Sequence, residues 1–145
     1  ERAQALRLAQ TDSLTGLVNR GAFTEALAER LARARRDGGQ VALFVIDLDR
    51  FKHLNDPLGL PAGALLLAEL GERLRWSAAP GELMARLGGD EFAVISPTRD
   101  VARRAQELVG ALSQPHDIYG RQIAPGRVQA MHEGKRRKRA ARSAD

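Results

Sequence analysis

The apolar positions of this chain recur at spacings that predict three helices. Between Arg20 and Arg36 they fall three and four residues apart, and Gly38-Gly39 ends the run. A second run begins at Pro61 or Ala62 and closes at Trp76, and a third ends before Pro115. The positions expected to face a core are Phe23, Ala26, Leu27, Leu31 and Ala34, then Leu66, Leu67, Leu70 and Leu74, then Val101, Ala105, Leu108, Val109 and Leu112.

Short apolar stretches between these helices predict strands. Val41–Ile46 is continuously apolar and rich in β-branched residues, which predicts a strand buried on both faces. Two further stretches, Leu83–Leu87 and Phe92–Ile95, flank Gly88-Gly89 and predict a hairpin with Asp90 and Glu91 at its tip.

The last part of the chain has a different character. A small hairpin about Gly120 is predicted, but from Ala124 onward neither an apolar strand nor an amphipathic helix is recognisable. We therefore divide the chain into the end of a connecting helix at 1–10, a folded part at 11–123, and a basic tail at 124–145 that is expected to be disordered.

Composition narrows the class of protein. A chain of 145 residues fits one domain, and the absence of cysteine excludes disulfides and thiolate metal sites, as expected in a reducing cytoplasm. No apolar run is long enough to span a bilayer, so no membrane contact is expected from this segment. Because the first residue is Glu1, we expect a piece of a longer protein.

The net charge of +5 comes from one place. Residues 135–145 hold six Lys or Arg and one Asp, whereas residues 1–134 hold seventeen of each sign. A folded nucleic-acid-binding domain is expected to carry a basic face on its own elements, so no specific nucleic acid is expected as a partner. The basic run Lys135–Arg139 leaves open a second function, in which the tail binds nucleic acid or another acidic surface. A solvated tail without a partner is the more common outcome for such a run.

Two groups of carboxylates are candidates for chemistry. Asp47-Leu48-Asp49 follows the buried strand, where carboxylates are costly unless they are paired, hydrogen-bonded or bound to metal. Capping aspartates are also routine at strand ends, so both interpretations stay open. The Gly-Gly-Asp of the hairpin, taken alone, is more typical of a solvated tight turn.

Three motifs together resemble the GGDEF domain of diguanylate cyclases. They stand in the order of that family and at its spacing, over about residues 11–123. The matching residues are Asp12-Ser13-Leu14-Thr15-Gly16-Leu17 with Asn19-Arg20, then Asp47-Leu48-Asp49 with Phe51-Lys52 and Asn55-Asp56, then Arg86-Leu87-Gly88-Gly89-Asp90-Glu91-Phe92.

The resemblance implies an α+β fold, a ferredoxin-like βαββαβ palm of the nucleotide-cyclase type. It also implies the condensation of two GTP molecules into cyclic di-GMP by a homodimer, for bacterial signalling in the cytoplasm, under an upstream sensor domain. By the same resemblance Mg²⁺ or Mn²⁺ is held by Asp47, the Leu48 carbonyl and Asp90, and Asp90 and Glu91 act on the attacking hydroxyl. Lys52 and Phe51 match the phosphate-binding segment, Asn55 the guanine contact, and Gly88 and Gly89 the room for the nucleotide.

The sequence departs from the family pattern in several places. Leu60 and Ala64 replace a histidine and a guanine-binding aspartate, and Ala79 and Glu82 replace the Arg and Asp of the product-inhibition site. The final strand and helix of the palm are not recognisable, which predicts a truncated or frame-shifted domain with an exposed sheet edge. These departures leave open a second interpretation, a non-catalytic GGDEF module that binds a nucleotide or a partner domain.

Overall fold

The computed structural model describes residues 10–48, 60–118, 121–123 and 128–134. No helix in these ranges is long and apolar enough to cross a membrane. In chain order the elements are α1 (Arg20–Asp37), β1 (Ala42–Leu48), α2 (Leu60–Trp76), β2 (Leu83–Gly88), β3 (Glu91–Ser96), α3 (Val101–Ser113), β4 (His116–Ile118), β5 (Arg121–Ile123) and β6 (Val128–Gly134).

Four of the strands form one sheet in the order β2-β3-β1-β6, and every neighbouring pair is antiparallel. β1, α2 and the β2–β3 hairpin therefore form a split βαβ unit in which β3 lies between two parallel strands. β4 and β5 form a separate two-stranded hairpin. This arrangement confirms the predicted helices, both hairpins and the α+β palm.

Local side chains set the ends of the helices. The Asn19 side chain accepts a hydrogen bond from the Ala22 N–H at 3.0 Å, which caps the start of α1. Gly38 ends α1 with φ at +77° and donates its N–H to the Ala34 carbonyl at 2.7 Å. At the start of α3, Asp100 accepts from the Arg103 N–H at 3.2 Å.

The sheet separates two hydrophobic cores. Between the sheet and helices α2 and α3 lies the larger core, which includes the alternate β1 residues Ala42, Phe44, Ile46 and Leu48. Helix α1 covers the other face of β2 and β3, where Phe23, Ala34, Val41, Ala85, Ala93 and Ile95 are buried. The Asp47 side chain on this second face of β1 is exposed.

Two expectations from the sequence are corrected. β1 was expected to be buried on both faces, but Leu43 and Val45 are only half-buried because α1 packs against β2 rather than across the whole sheet. In addition, the region after Ala124 was expected to contain no strand, whereas β6 pairs along β1 from Leu48 opposite Val128 to Ala42 opposite Gly134.

Backbone pairing explains β6 better than its side chains do. The edge of β1 away from β3 presents N–H and C=O groups that need partners, and a neighbouring strand satisfies them whatever its sequence pattern. α3 also packs against β6. The sheet edge expected to be exposed at β1 is therefore covered, and no helix follows α3 within the ranges described above.

Candidate active site

The antiparallel pairing of β1 and β3 brings the two groups of predicted carboxylates together. Asp47 lies directly opposite Glu91 in the register of these strands. Asp90 precedes Glu91 in the turn between β2 and β3, so it lies at the same end of the sheet as Asp47. Residues that are 43 positions apart in sequence thus meet at one end of the sheet.

The glycine turn next to these carboxylates is open to solvent. Gly88 has φ at +139° and Gly89 at +51°, a range that side-chain-bearing L residues rarely adopt. A Cβ atom built on either glycine would meet no heavy atom of the described residues within 4 Å, its chain neighbours aside. The turn therefore requires glycine for its backbone conformation and leaves free space above it for a bulky ligand.

The side-chain and carbonyl oxygen atoms at this end of the sheet are the type of ligand that a hard cation prefers. Among the described residues, neither the Asp47 nor the Asp90 side chain has a hydrogen bond or an ion pair, so both carboxylates are available. No three His, Cys, Asp or Glu side chains in the described part of the chain form a complete metal site. Two carboxylates and the Leu48 carbonyl are nevertheless the kind of partial oxygen set that Mg²⁺ completes with phosphates and water.

The remaining predicted residues belong to the stretch of sequence between β1 and α2 or to the first turns of α2. Phe51, Lys52 and Asn55 fall outside the described residues, so their roles stay predictions. Ala64 lies in the first two turns of α2, which begins at Leu60.

Two arginines donate hydrogen bonds to the backbone in or next to the turn, and no role was predicted for them from the sequence. The Arg86 guanidinium donates to the Gly89 carbonyl and pairs with Asp12 at 2.9 Å. Arg20, the first residue of α1, donates from Nε to the Leu87 carbonyl at 3.1 Å, and its Nη2 lies 3.5 Å from Glu91 Oε1. Both arginines belong to the motifs that resemble the GGDEF family, and that is the only signal for them in the sequence.

A buried ion pair lies at the opposite end of β3. Glu82, whose side chain is 1% exposed, accepts two hydrogen bonds from Arg104, at 2.8 and 2.9 Å. The Arg104 guanidinium also donates to the Ser77 carbonyl at 2.6 Å. Burial by itself raises the pKa of the Glu82 carboxyl, but hydrogen bonds from Arg104, Ala79 N–H and Ser96 outweigh it and leave the pKa below its ordinary value. The carboxylate at this position is thus fully engaged inside the domain.

This pair predicts a loss of stability in Glu82→Gln that depends on pH. A carboxyl with a lowered pKa in the folded state stabilises the protein above its unfolded pKa, near 4.5, and loses that contribution as the pH falls through the folded value. At pH 7 we expect Glu82→Gln to lower the free energy of unfolding by about 1.5 kcal/mol. The deficit should shrink below about pH 4.5.

Urea unfolding between pH 3 and pH 7 measures this difference. Glu29→Gln is the matched control, because Glu29 forms an exposed pair with Arg33 on α1 and its loss should change stability by less than about 0.5 kcal/mol. A deficit in Glu82→Gln that stays constant across the whole pH range would contradict the assignment.

Comparison with known families identifies the domain. The family model described as "Diguanylate cyclase, GGDEF domain" matches residues 9–145. The chain belongs to the GGDEF family. The match extends through β6 and so includes the region in which no further palm element had been recognised.

Curated relatives of this GGDEF domain are longer proteins. Over 143 residues it is 37% identical to the bifunctional diguanylate cyclase/cyclic di-GMP phosphodiesterase MucR of Pseudomonas aeruginosa, covering 90% of this chain. The chain spans 21% of the length of that relative.

Solved structures of GGDEF domains have the same fold. A sensory box/GGDEF family protein from Caulobacter crescentus superposes with a TM-score of 0.81 at 35% identity, covering 87% of this chain and 83% of that one. The coiled coil and GGDEF domain of DgcB from the same organism, solved in complex with c-di-GMP, gives a TM-score of 0.78 at 30% identity and covers 92% and 72%. The GGDEF palm expected from the sequence is therefore confirmed, and β6 supplies the strand beside β1 that was expected to be missing.

Proposed function

We propose that this GGDEF domain is the catalytic part of a diguanylate cyclase. The observation that carries the proposal is the register that places Asp47 opposite Glu91 and at the same end of the sheet as Asp90. The Asp47 and Asp90 carboxylates are unpaired among the described residues, and the space around Gly88 and Gly89 is open there. Two copies of the chain, each holding one GTP, would meet so that the two nucleotides react. GTP and the product belong to the cytoplasm, and a sensor domain upstream of residue 1 would control the encounter.

The reaction is a pair of phosphoryl transfers. In each, the 3′-hydroxyl oxygen of one GTP bonds to the α-phosphorus of the other, the bond from that phosphorus to the bridging oxygen breaks, and pyrophosphate leaves. The hydroxyl proton passes to Asp90 or Glu91, which act as the base at the turn. Mg²⁺ bound at Asp47, the Leu48 carbonyl and Asp90 would supply charge neutralisation at the phosphates.

Three residues outside the described ranges would bind other parts of the nucleotide. Lys52 and the backbone at Phe51 would bind the phosphates, and Asn55 would contact guanine. The chain's own contribution at the described residues is to orient the carboxylates and to keep the space above the turn free.

One observation favours the alternative, a GGDEF module that binds a nucleotide or a partner without catalysis. Residues 60–67 at the start of α2 read Leu-Pro-Ala-Gly-Ala-Leu-Leu-Leu, so no side chain there can hydrogen-bond to a base. A site that cannot pair with the edge of guanine loses much of its discrimination against adenine.

Pyrophosphate release separates these two functions. With GTP and Mg²⁺, a cyclase releases one pyrophosphate for every GTP consumed, and the rate per chain rises with chain concentration because two copies must meet. A folded chain that retains intact GTP and releases no pyrophosphate would support the binding module instead.

The base preference gives a separate prediction. Replacing Ala64 with Asp restores an acceptor for the guanine edge, so we expect the Kd for GTP to fall about tenfold while the Kd for ATP stays unchanged. Ala68→Asp places the same charge one turn further along α2 and is the matched control. Calorimetric titration measures both constants, and an equal Kd for GTP in parent and Ala64→Asp would refute the role assigned to this position.

A further inference from the structure

The segment that enters the domain lies against the outer edge of β2. Val18 forms a parallel bridge with Ala85, its N–H donates to the Met84 carbonyl at 3.3 Å, and its carbonyl accepts from the Arg86 N–H at 2.9 Å. Residues 11–19 therefore cover the edge of the sheet next to the glycine turn. We call these residues the entry loop.

The entry loop is closed around Asp12. The Asp12 N–H donates to the Leu17 carbonyl at 2.7 Å, and its own carbonyl accepts from the Gly16 N–H at 2.8 Å. One carboxylate oxygen, Oδ2, accepts from both the N–H and the hydroxyl of Thr15, at 2.8 and 2.9 Å. The other oxygen, Oδ1, is left for Arg86 at 2.9 Å.

Arg86 connects this loop to the turn. Its Nη1 faces Asp12, while Nε and Nη2 both donate to the Gly89 carbonyl, at 3.1 and 2.8 Å. The side chains of Arg86 and Asp12 are 15% and 17% exposed, so water competes little for the pair. A planar guanidinium with all three nitrogens engaged has one orientation.

The Gly89 carbonyl is a sensitive point of attachment. It shares a rigid peptide plane with the N–H of Asp90, so fixing the carbonyl also fixes the direction in which the backbone enters Asp90. Gly89 itself has the widest conformational freedom of any residue type, and its φ of +51° is not enforced by a side chain. The hydrogen bonds from Arg86 to this carbonyl therefore reduce the conformational freedom of Asp90, the next residue.

We propose that Asp12 is a positioning residue for the active site, acting through Arg86 to fix the Gly89–Asp90 peptide plane. The proposal rests on the proposed cyclase function, in which Asp90 holds the metal and acts on the attacking hydroxyl. Because Asp12 lies where the chain enters the domain, a displacement of the entry loop reaches the carboxylates through a single guanidinium. Control of catalysis by whatever precedes Thr11 would use this connection.

The lowered pKa of Asp12 agrees with this geometry. Burial by itself raises the pKa of this carboxyl, but the hydrogen bonds from Thr15 and the charge of Arg86 outweigh it, so the pKa lies below its ordinary value. Asp12 is therefore charged at neutral pH, so its ion pair with the Arg86 guanidinium is present under those conditions.

Amide NMR spectra of the ¹⁵N-labelled full chain, without nucleotide, test the connection directly. We expect Asp12→Asn to shift or broaden the amide signals of residues 88–91. Glu82→Gln is the control, since it removes an equally well-paired carboxylate at the other end of the sheet and should leave those signals in place. Unchanged signals at 88–91 in Asp12→Asn, with changes confined to residues 11–19, would overturn the proposal.

Arg86→Lys tests the same connection from its other side, and it remains informative if the Asp12→Asn variant does not fold. An ammonium group keeps the charge but cannot donate in a fixed fork to Asp12 and to the Gly89 carbonyl together. We expect the same signals to change, and the double variant Asp12→Asn/Arg86→Lys to add nothing further, because both substitutions break one connection. Additive changes in the double variant would count against a shared path.

Kinetics distinguish positioning from a purely structural role. In Asp12→Asn we expect kcat to fall about tenfold with KM within about twofold, at a temperature where the variant is fully folded, because the carboxylate is displaced and GTP binding is not. An unchanged kcat overturns the proposal. If the parent chain makes no product, the proposed function fails, whereas the NMR comparison still decides whether Asp12 controls the turn.

Discussion

Asp90→Ala is expected to lower the rate of cyclic di-GMP formation by at least about a thousandfold. In the proposed mechanism Asp90 contributes both to metal binding and to the base at the turn, and losing several kcal/mol of transition-state stabilisation corresponds to a factor of this size. The fold should persist, because the Asp90 side chain has no hydrogen bond or ion pair among the described residues. The rate of product formation from GTP, normalised to folded protein, measures the effect.

Asp37→Ala is the matched control for this prediction. Asp37 is an exposed aspartate at the end of α1, close to the start of β1 and therefore at the opposite end of that strand from Asp47. We expect its replacement to leave the rate within about twofold of the parent, as for surface positions away from the chemistry. An Asp90→Ala chain that is folded and keeps more than a tenth of the parental rate would contradict the assignment of Asp90.

Gly71→Ala is expected to destabilise the domain by about 3 kcal/mol, at the upper end of the range for overpacking. A Cβ atom at Gly71 would lie 2.8 Å from the Cβ and 3.6 Å from the Cα of Thr15, which are not flexible ends that can move aside. Thr15 is held by Asp12 and by Arg75, whose Nη2 donates to the Thr15 carbonyl at 2.8 Å. Relief of the clash therefore displaces the entry loop.

Gly110→Ala separates this clash from the general effect of removing a helical glycine. Gly110 lies inside α3, and beyond its own helix backbone no atom of the described part of the chain lies within 4 Å of the Cβ position. Its replacement should stabilise the domain by about 0.5 to 1 kcal/mol, because alanine loses less backbone entropy in a helix. Urea unfolding gives both values, and a Gly71→Ala chain as stable as Gly110→Ala would show that α2 does not pack closely on Thr15.

Short-range patterns in the sequence were sufficient for most elements. The apolar spacing of α1, the glycines at its end and the Gly-Gly turn of the hairpin are local signals, since each depends on residues only a few positions apart. The meeting of Asp47 with the turn followed from the family resemblance together with two correctly predicted strands.

The features that were missed depend on contacts between distant parts of the chain. β6 lacks a strongly β-forming pattern, and its formation follows from the unpaired edge of β1. The pair between Asp12 and Arg86 joins residues 74 positions apart, so no spacing rule predicts it. The half-buried second face of β1 likewise depends on where α1 packs, which its own amphipathic pattern does not specify.

The most direct test of metal-dependent condensation is to incubate the purified chain with α-labelled GTP and Mg²⁺ and to identify the labelled product by chromatography and mass spectrometry. The predicted result is cyclic di-GMP, formed only when metal is present. Labelled GTP recovered unchanged from folded chain, with Mg²⁺ and with Mn²⁺ alike, would contradict the proposed function.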